Sequence, residues 1–122
     1  MKLNSILVFS ENPKQLAEFY KKVFNKEPSF TVGDYTEFNT GGAYFEVGPH
    51  KKVHGKNKTP ERMLLNFHVD DVEAEFKRIK ALGVTVIQEP YNPKEDTRLT
   101  IATFADPDGN YFQLMTAWEN LK

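Results

Sequence analysis

The order strand, helix, strand, strand, strand occurs twice along this chain, and that repetition restricts its fold more than any other feature. Residues 3–9 are short, apolar and rich in β-formers, which predicts a strand. Ser10-Glu11-Asn12-Pro13 then reads as a helix start, with a capping side chain and a proline in the first turn. Leu16, Phe19, Tyr20, Val23 and Phe24 fall at helical spacing, Asn25 suits the stop, and Pro28 lies beyond it. Strands are predicted over 29–32, 35–39 and 43–47, separated by Gly33-Asp34 and Thr40-Gly41-Gly42 and closed by Gly48-Pro49. The second half repeats the order. Residues 63–69 are strand-like, Asp70-Asp71 can cap a helix, Val72, Phe76, Ile79 and Leu82 form its buried stripe, and Gly83 ends it. A strand over 84–88, a loop over 89–97 carrying Pro90 and Pro93, and a strand over 98–104 follow. The tight turn Asp106-Pro107-Asp108-Gly109 leads into a last strand over 110–116 and a tail over 117–122. The two halves also match at their ends: Gly42-Ala43-Tyr44-Phe45-Glu46-Val47 aligns with Gly109-Asn110-Tyr111-Phe112-Gln113-Leu114. The reading is an α+β chain, one domain over 1–122, built from βαβββ modules at 1–49 and 62–122 and joined by a polar, basic linker at 50–61.

Composition narrows the function classes. The net charge of -1, from 16 basic and 17 acidic residues, gives no field for drawing in a polyanion, so no nucleic-acid or acidic-membrane partner is expected. The one basic run, residues 51–58, is interrupted by Val53, His54, Gly55 and Asn57 and reads as a solvated loop. Cysteine is absent, which removes disulfides, thiolate zinc sites and a cysteine nucleophile, and fits a reducing compartment. No apolar run has the length of a membrane span and the N-terminus lacks a signal-peptide layout, so a cytoplasmic protein is expected.

Three segments resemble the vicinal oxygen chelate superfamily, which includes glyoxalase I, bleomycin-resistance proteins, extradiol dioxygenases and fosfomycin-resistance proteins. They are residues 6–20 ending in Glu18-Phe19-Tyr20, the junction Phe67-His68-Val69-Asp70-Asp71-Val72, and Phe104-Ala105-Asp106-Pro107-Asp108-Gly109-Asn110. The resemblance implies tandem βαβββ modules whose mixed sheet curls around a cleft, with helices on the convex side. Strand alternation then gives the cleft-facing set. In the first half it is Ser5, Leu7 and Phe9 with Tyr44, Glu46 and Gly48; in the second it is Leu64, Asn66 and His68 with Tyr111, Gln113 and Met115. The resemblance further implies a homodimer, although two modules in one chain also permit a monomer or an exchange of halves.

Metal-dependent members of that superfamily carry ligands, usually His and Glu, at four positions that correspond here to Ser5, Glu46, Leu64 and Gln113. Only Glu46 keeps a strong ligand type, and three protein ligands are the usual minimum for a catalytic divalent ion. No metal of the family type and no cofactor is expected. His50 and His54 are expected to be solvated in the linker, and His68 to be a structural histidine hydrogen-bonded near Asp70. Glu46 is the one candidate base, or else a carboxylate paired with Arg98 or a hydroxyl. The mostly apolar list of Leu7, Phe9, Tyr44, Glu46, Leu64, Asn66, His68, Tyr111, Gln113 and Met115 has the make-up of a small-molecule site. The first expectation is a metal-free, bleomycin-resistance-like protein holding a small aromatic or cationic molecule. The alternatives are a lyase, isomerase or glyoxalase-like enzyme using Glu46, with or without a metal, and an interaction module without ligand.

Overall fold

A computed structural model of the chain describes residues 1–121. The chain divides into two compact units, Met1–Lys56 and Asn57–Lys122. The first holds β1 (Ser5–Phe9), α1 (Pro13–Phe24), β2 (Phe30–Val32), β3 (Tyr35–Asn39) and β4 (Tyr44–Gly48). The second holds a short 3-10 turn (Pro60–Arg62), β5 (Leu65–Val69), α2 (Val72–Ala81), β6 (Thr85–Tyr91), β7 (Ile101–Ala105), β8 (Tyr111–Thr116) and a closing 3-10 turn (Trp118–Leu121). Each unit forms its own four-stranded mixed sheet, in the orders β1-β4-β3-β2 and β5-β8-β7-β6. The first strand of each unit runs parallel to the last, and the other pairs are antiparallel. Two βαβββ modules are therefore present, as the repeat in the sequence predicted.

The helices begin and end for local reasons, and the two starts differ. At α1 the Asn12 side chain makes no capping bond; the Asn12 N–H instead donates to Ser10 Oγ at 2.9 Å, and Pro13 supplies a fixed φ to the first turn. At α2 the Asp71 carboxylate accepts from the Ala74 N–H at 3.0 Å, with Glu73 and Glu75 in the first turn and Arg78 and Lys80 in the last, a charge order that suits the helix dipole. Asn25 ends α1 in the left-handed region at φ 51°, and the Lys26 N–H donates to the Lys21 carbonyl at 3.3 Å.

Each helix covers one sheet face, and the two cores use aromatic residues at equivalent places. Phe38 lies opposite Phe45 across β3 and β4; Phe104 lies opposite Phe112 across β7 and β8. All four are buried. Tyr20 and Phe24 of α1 meet the first pair, with ring centroids 4.7 Å from Tyr20 to Phe45 and 5.3 Å from Phe24 to Phe38. Phe76 of α2 stacks on Phe104 at 5.2 Å, and Phe104 on Phe112 at 5.5 Å. Burying a side chain of this size contributes about 1.5–3 kcal/mol.

Several segments differ from the sequence reading, among them the start of the strand read over 63–69, which is Leu65. The predicted loop over 89–97 begins late, because β6 runs through Pro90 to Tyr91; it is an edge strand with register shifts, where a missing N–H is tolerated. The strand predicted from Arg98 begins instead at Ile101, since Asp96 turns the chain: its carboxylate accepts from the Arg98 N–H at 3.1 Å and its carbonyl from the Leu99 N–H at 3.1 Å. The segment read as a linker is divided between the units, with 50–56 in the first and 57–61 in the second. Among the described residues no helix is long and apolar enough to cross a membrane.

Candidate functional site

Residues opposite one another in a sheet share a face, so the strand registers sort every side chain. In the first module the face against α1 carries Ile6, Val8, Phe38, Phe45 and Val47. The other face, free of helix, carries two rows: Leu7, Glu46, Glu37 and Phe30, then Phe9, Gly48, Tyr35 and Val32. Ser5, Tyr44 and Asn39 form a third, shorter row. Leu7, Phe30, Val32, Tyr35 and Tyr44 are all exposed large apolar or aromatic side chains. Gly48 is needed here for space. A Cβ on it would come within 2.4 Å of the Tyr35 ring, which lies flat across the glycine.

Two carboxylates sit directly opposite each other on this face. Glu37 accepts from the Ser29 hydroxyl at 3.2 Å. Glu46 is half-buried, and among the described residues its carboxylate has neither a hydrogen bond nor an ion pair. The partner envisaged for it, Arg98, is engaged by Asp96: Arg98 Nε and Nη2 donate to the two carboxylate oxygens at 2.9 and 2.7 Å. That hydrogen-bonded guanidinium holds the Asp96 carboxyl down at about 2, and the Asp96 carboxylate in turn raises Arg98 above its ordinary value.

The second module repeats the geometry with other chemistry. Gln113 stands where Glu46 stands, Asn66 where Leu7 stands, and Thr103 where Glu37 stands. Gln113 Nε2 donates to Asn66 Oδ1 at 3.1 Å, and Asn66 Nδ2 points at the Met115 sulfur at 3.9 Å. His68 lies opposite Met115, as Phe9 lies opposite Gly48. This register is pinned by the turn after β7. The buried Asp106 carboxylate accepts from the N–H groups of Asp108 and Asn110 at 2.9 and 3.0 Å and from Asn110 Nδ2 at 3.0 Å, and Gly109 takes φ 78°.

His68 departs from expectation. The ring of His68 lies 5.0 Å from that of Trp118, while Asp70 accepts from Asn120 Nδ2 at 3.4 Å. An aromatic neighbour from the tail thus replaces the expected contact near Asp70. His50 and His54 are solvent-exposed, as expected, and each also has a neighbour in the first module. The His50 ring meets Phe9 edge-on at 5.2 Å, and His54 Nδ1 is 3.2 Å from a Glu11 carboxylate oxygen. Both fold 50–56 back onto the first module.

Within the first module the structure brings Leu7, Phe9, Tyr44 and Glu46 onto one face; within the second it does the same for Asn66, His68, Tyr111, Gln113 and Met115. Leu64 precedes β5 and is exposed, Tyr111 is half-buried, and Met115 is buried. Sequence reasoning missed Glu37, Tyr35, Phe30 and Val32, although alternation in β3 carried the signal. It also missed Trp118, for which no periodicity exists in a tail. As donors for a divalent ion, the four family positions do not fit. Leu64 has no donor atom, Ser5 offers a neutral hydroxyl and Gln113 a neutral carbonyl, which leaves one carboxylate at Glu46. Among the described residues no three His, Cys, Asp or Glu side chains gather where a metal ion could sit.

Known proteins share this architecture. The chain is 26% identical over 117 residues to the phenazine antibiotic resistance protein EhpR of Enterobacter agglomerans, covering 91% of this chain and 88% of that one. A glyoxalase/bleomycin resistance protein/dioxygenase family enzyme from Burkholderia phytofirmans PsJN has a similar structure, with TM-score 0.76 and 22% identity over 95% of this chain and 98% of that one. Lactoylglutathione lyase from Agrobacterium tumefaciens superposes with TM-score 0.73 at 16% identity, covering 94% and 92%. The family model of the Glyoxalase/Bleomycin resistance protein/Dioxygenase superfamily matches residues 2–114, and it is to this superfamily, the vicinal oxygen chelate proteins, that the chain belongs.

Proposed function

We propose that this protein binds a small, flat aromatic molecule without a metal ion, in the manner of a resistance or sequestration protein. The observation that carries the reading is the composition of the helix-free sheet faces. Leu7, Phe30, Val32, Tyr35 and Tyr44 stay exposed although a packed core lies on the other side of the same strands. Exposed apolar side chains grouped on one face, with a few polar groups among them, are what a small-molecule site needs. The likeness to a phenazine resistance protein supports a polycyclic aromatic ligand. The lack of a carboxylate or imidazole at Ser5, Leu64 and Gln113 supports binding without metal. The expected homodimer and cytoplasmic location remain part of this proposal; equilibrium sedimentation tests the first.

A thermal-shift screen that includes phenazines, run before and after dialysis against a chelator, tests the reading. A ligand that binds only the folded state at a hundred times its Kd stabilises by about 2.7 kcal/mol, and the shift should survive the chelator. Stoichiometric zinc, nickel, iron or manganese in protein purified without chelator, together with loss of binding on its removal, overturns it.

One observation favours a second reading. The Glu46 carboxylate is half-buried and has no partner among the described residues, which suits a general base in a metal-independent lyase or isomerase. Glu46→Gln should then abolish turnover of a bound compound while leaving its affinity nearly intact, whereas a pure binding role predicts no turnover by either form.

A further inference from the structure

We propose that Trp118 and His68 form a stacking platform, on the helix-free side of the second module, for an uncharged planar heteroaromatic ring. The inference rests on the ligand-binding reading above and assigns it a residue and a ligand class. Trp118 is the one tryptophan of the chain and is 62% exposed, an unusual place for the largest aromatic side chain when the core beneath is closed.

Its exposure does not come from a loose tail. The Ala117 N–H donates to the Val69 carbonyl at 3.2 Å, which carries the chain from β8 to the end of β5. Asn120 Nδ2 then reaches Asp70 Oδ1 at 3.4 Å, and Arg98 Nη1 reaches the Leu121 carbonyl at 3.5 Å, with Arg98 itself held by Asp96. Each of these bonds is long and weak alone, but they approach the turn from different sides. The Trp118 ring is thereby set 5.0 Å from the His68 ring, at an interplanar angle of 58°. An aromatic surface fixed before binding loses little conformational entropy when a ring stacks on it.

Charge decides the class of ligand. The helix-free residues of β5, β7 and β8 include no Asp, Glu, Lys or Arg. An ionised ligand would lose hydration over that face without gaining a counter-charge from it, and the charged side chains that hold the tail, Asp70 and Arg98, are engaged with Asn120 and Asp96. A neutral ring loses nothing comparable. Gln113, after donating one N–H to Asn66, keeps its carbonyl oxygen and a second N–H for the edge of a heterocycle. Met115, on the same face, offers a sulfur suited to contact with aromatic rings.

The test uses three probes that share one ring: phenazine, the N-methylphenazinium cation and the phenazine-1-carboxylate anion. Their affinities are measured by equilibrium dialysis and by quenching of the single tryptophan emission. Phenazine should bind best and quench Trp118. Trp118→Ala should weaken binding about tenfold, and Trp118→Phe should restore most of it. Circular dichroism confirms that both variants are folded. Equal affinity of wild type and Trp118→Ala overturns the inference while leaving the ligand-binding reading standing. So does a wild-type preference for either charged probe. If none of the three binds the wild type the inference falls, and the ligand-binding reading is then decided separately by the broader thermal-shift screen.

Discussion

Glu46 and Gln113 occupy the same place in two equivalent sheets, yet one is a carboxylate with no partner among the described residues, facing a second carboxylate, and the other is an amide tied to a second amide. On the opposite faces of the same strands the modules are alike: Phe38 corresponds to Phe104 and Phe45 to Phe112. The helix side must exclude water and fill space, which only large apolar side chains do, whereas the free side is under no such demand. The corners after the last strands show the same liberty. In the first module the strand gives the aromatic ring and the following segment the imidazole, as Phe9 and His50. In the second the strand gives the imidazole and the tail the aromatic ring, as His68 and Trp118. The faces that resemble each other form the core within each module, and the faces that differ are where two chemistries are presented.

The largest test of that comparison is in the cores. Phe45→Ala and Phe112→Ala should each destabilise by about 3–5 kcal/mol in urea denaturation, because both are buried at equivalent register positions. A difference of several kcal/mol between them would break the equivalence of the two cores. Next in size is Gly48→Ala, which forces the Tyr35 ring off the strand and should cost about 1–3 kcal/mol. Its counterpart Met115 shows that the second module has no such requirement. Helix starts come third. Asp71→Ala should cost about 1 kcal/mol through loss of the bond from the Ala74 N–H, while Asn12→Ala, whose side chain caps nothing, should cost less than half of that.

The smallest effect sharpens the view of the turn before β7. The Asp96 pKa is lowered in the folded chain to about 2, so its contribution is present above the ordinary value of 3.8 and is lost as pH falls from there toward 2. Arg98 is exposed and Asp96 partly so, and water screens the pair, so the effect on overall stability is slight. Arg98→Ala should return Asp96 toward 3.8, a change visible in a carboxyl NMR titration; an unmoved titration would show that the ion pair does not persist in solution.

Much of the fold was legible because it is local. The stripes of α1 and α2, the stops at Asn25 and Gly83 and the turn at Asp106 to Gly109 are each set by a few adjacent residues. Element ends were less legible where a distant partner sets them. Pro90 reads as a breaker, yet β6 passes through it because its partner lies on one side only. Of the candidate site, the first and last strands of each module were read from alternation, whereas Glu37 and Tyr35 went unnoticed although the same alternation applied to β3.

What the sequence by itself determined is the number of modules, the order of their elements and which side chain of each strand shares a face with which, because these follow from period, capping and turn chemistry along a continuous stretch of chain. Only the tertiary structure decided that the Tyr35 ring occupies the space a side chain at Gly48 would need, that Arg98 belongs to Asp96, and that the tail sets Trp118 against His68. Those contacts depend on which strand lies beside which and on where a tail returns. No residue in the sequence carries that information within reach of its own neighbours.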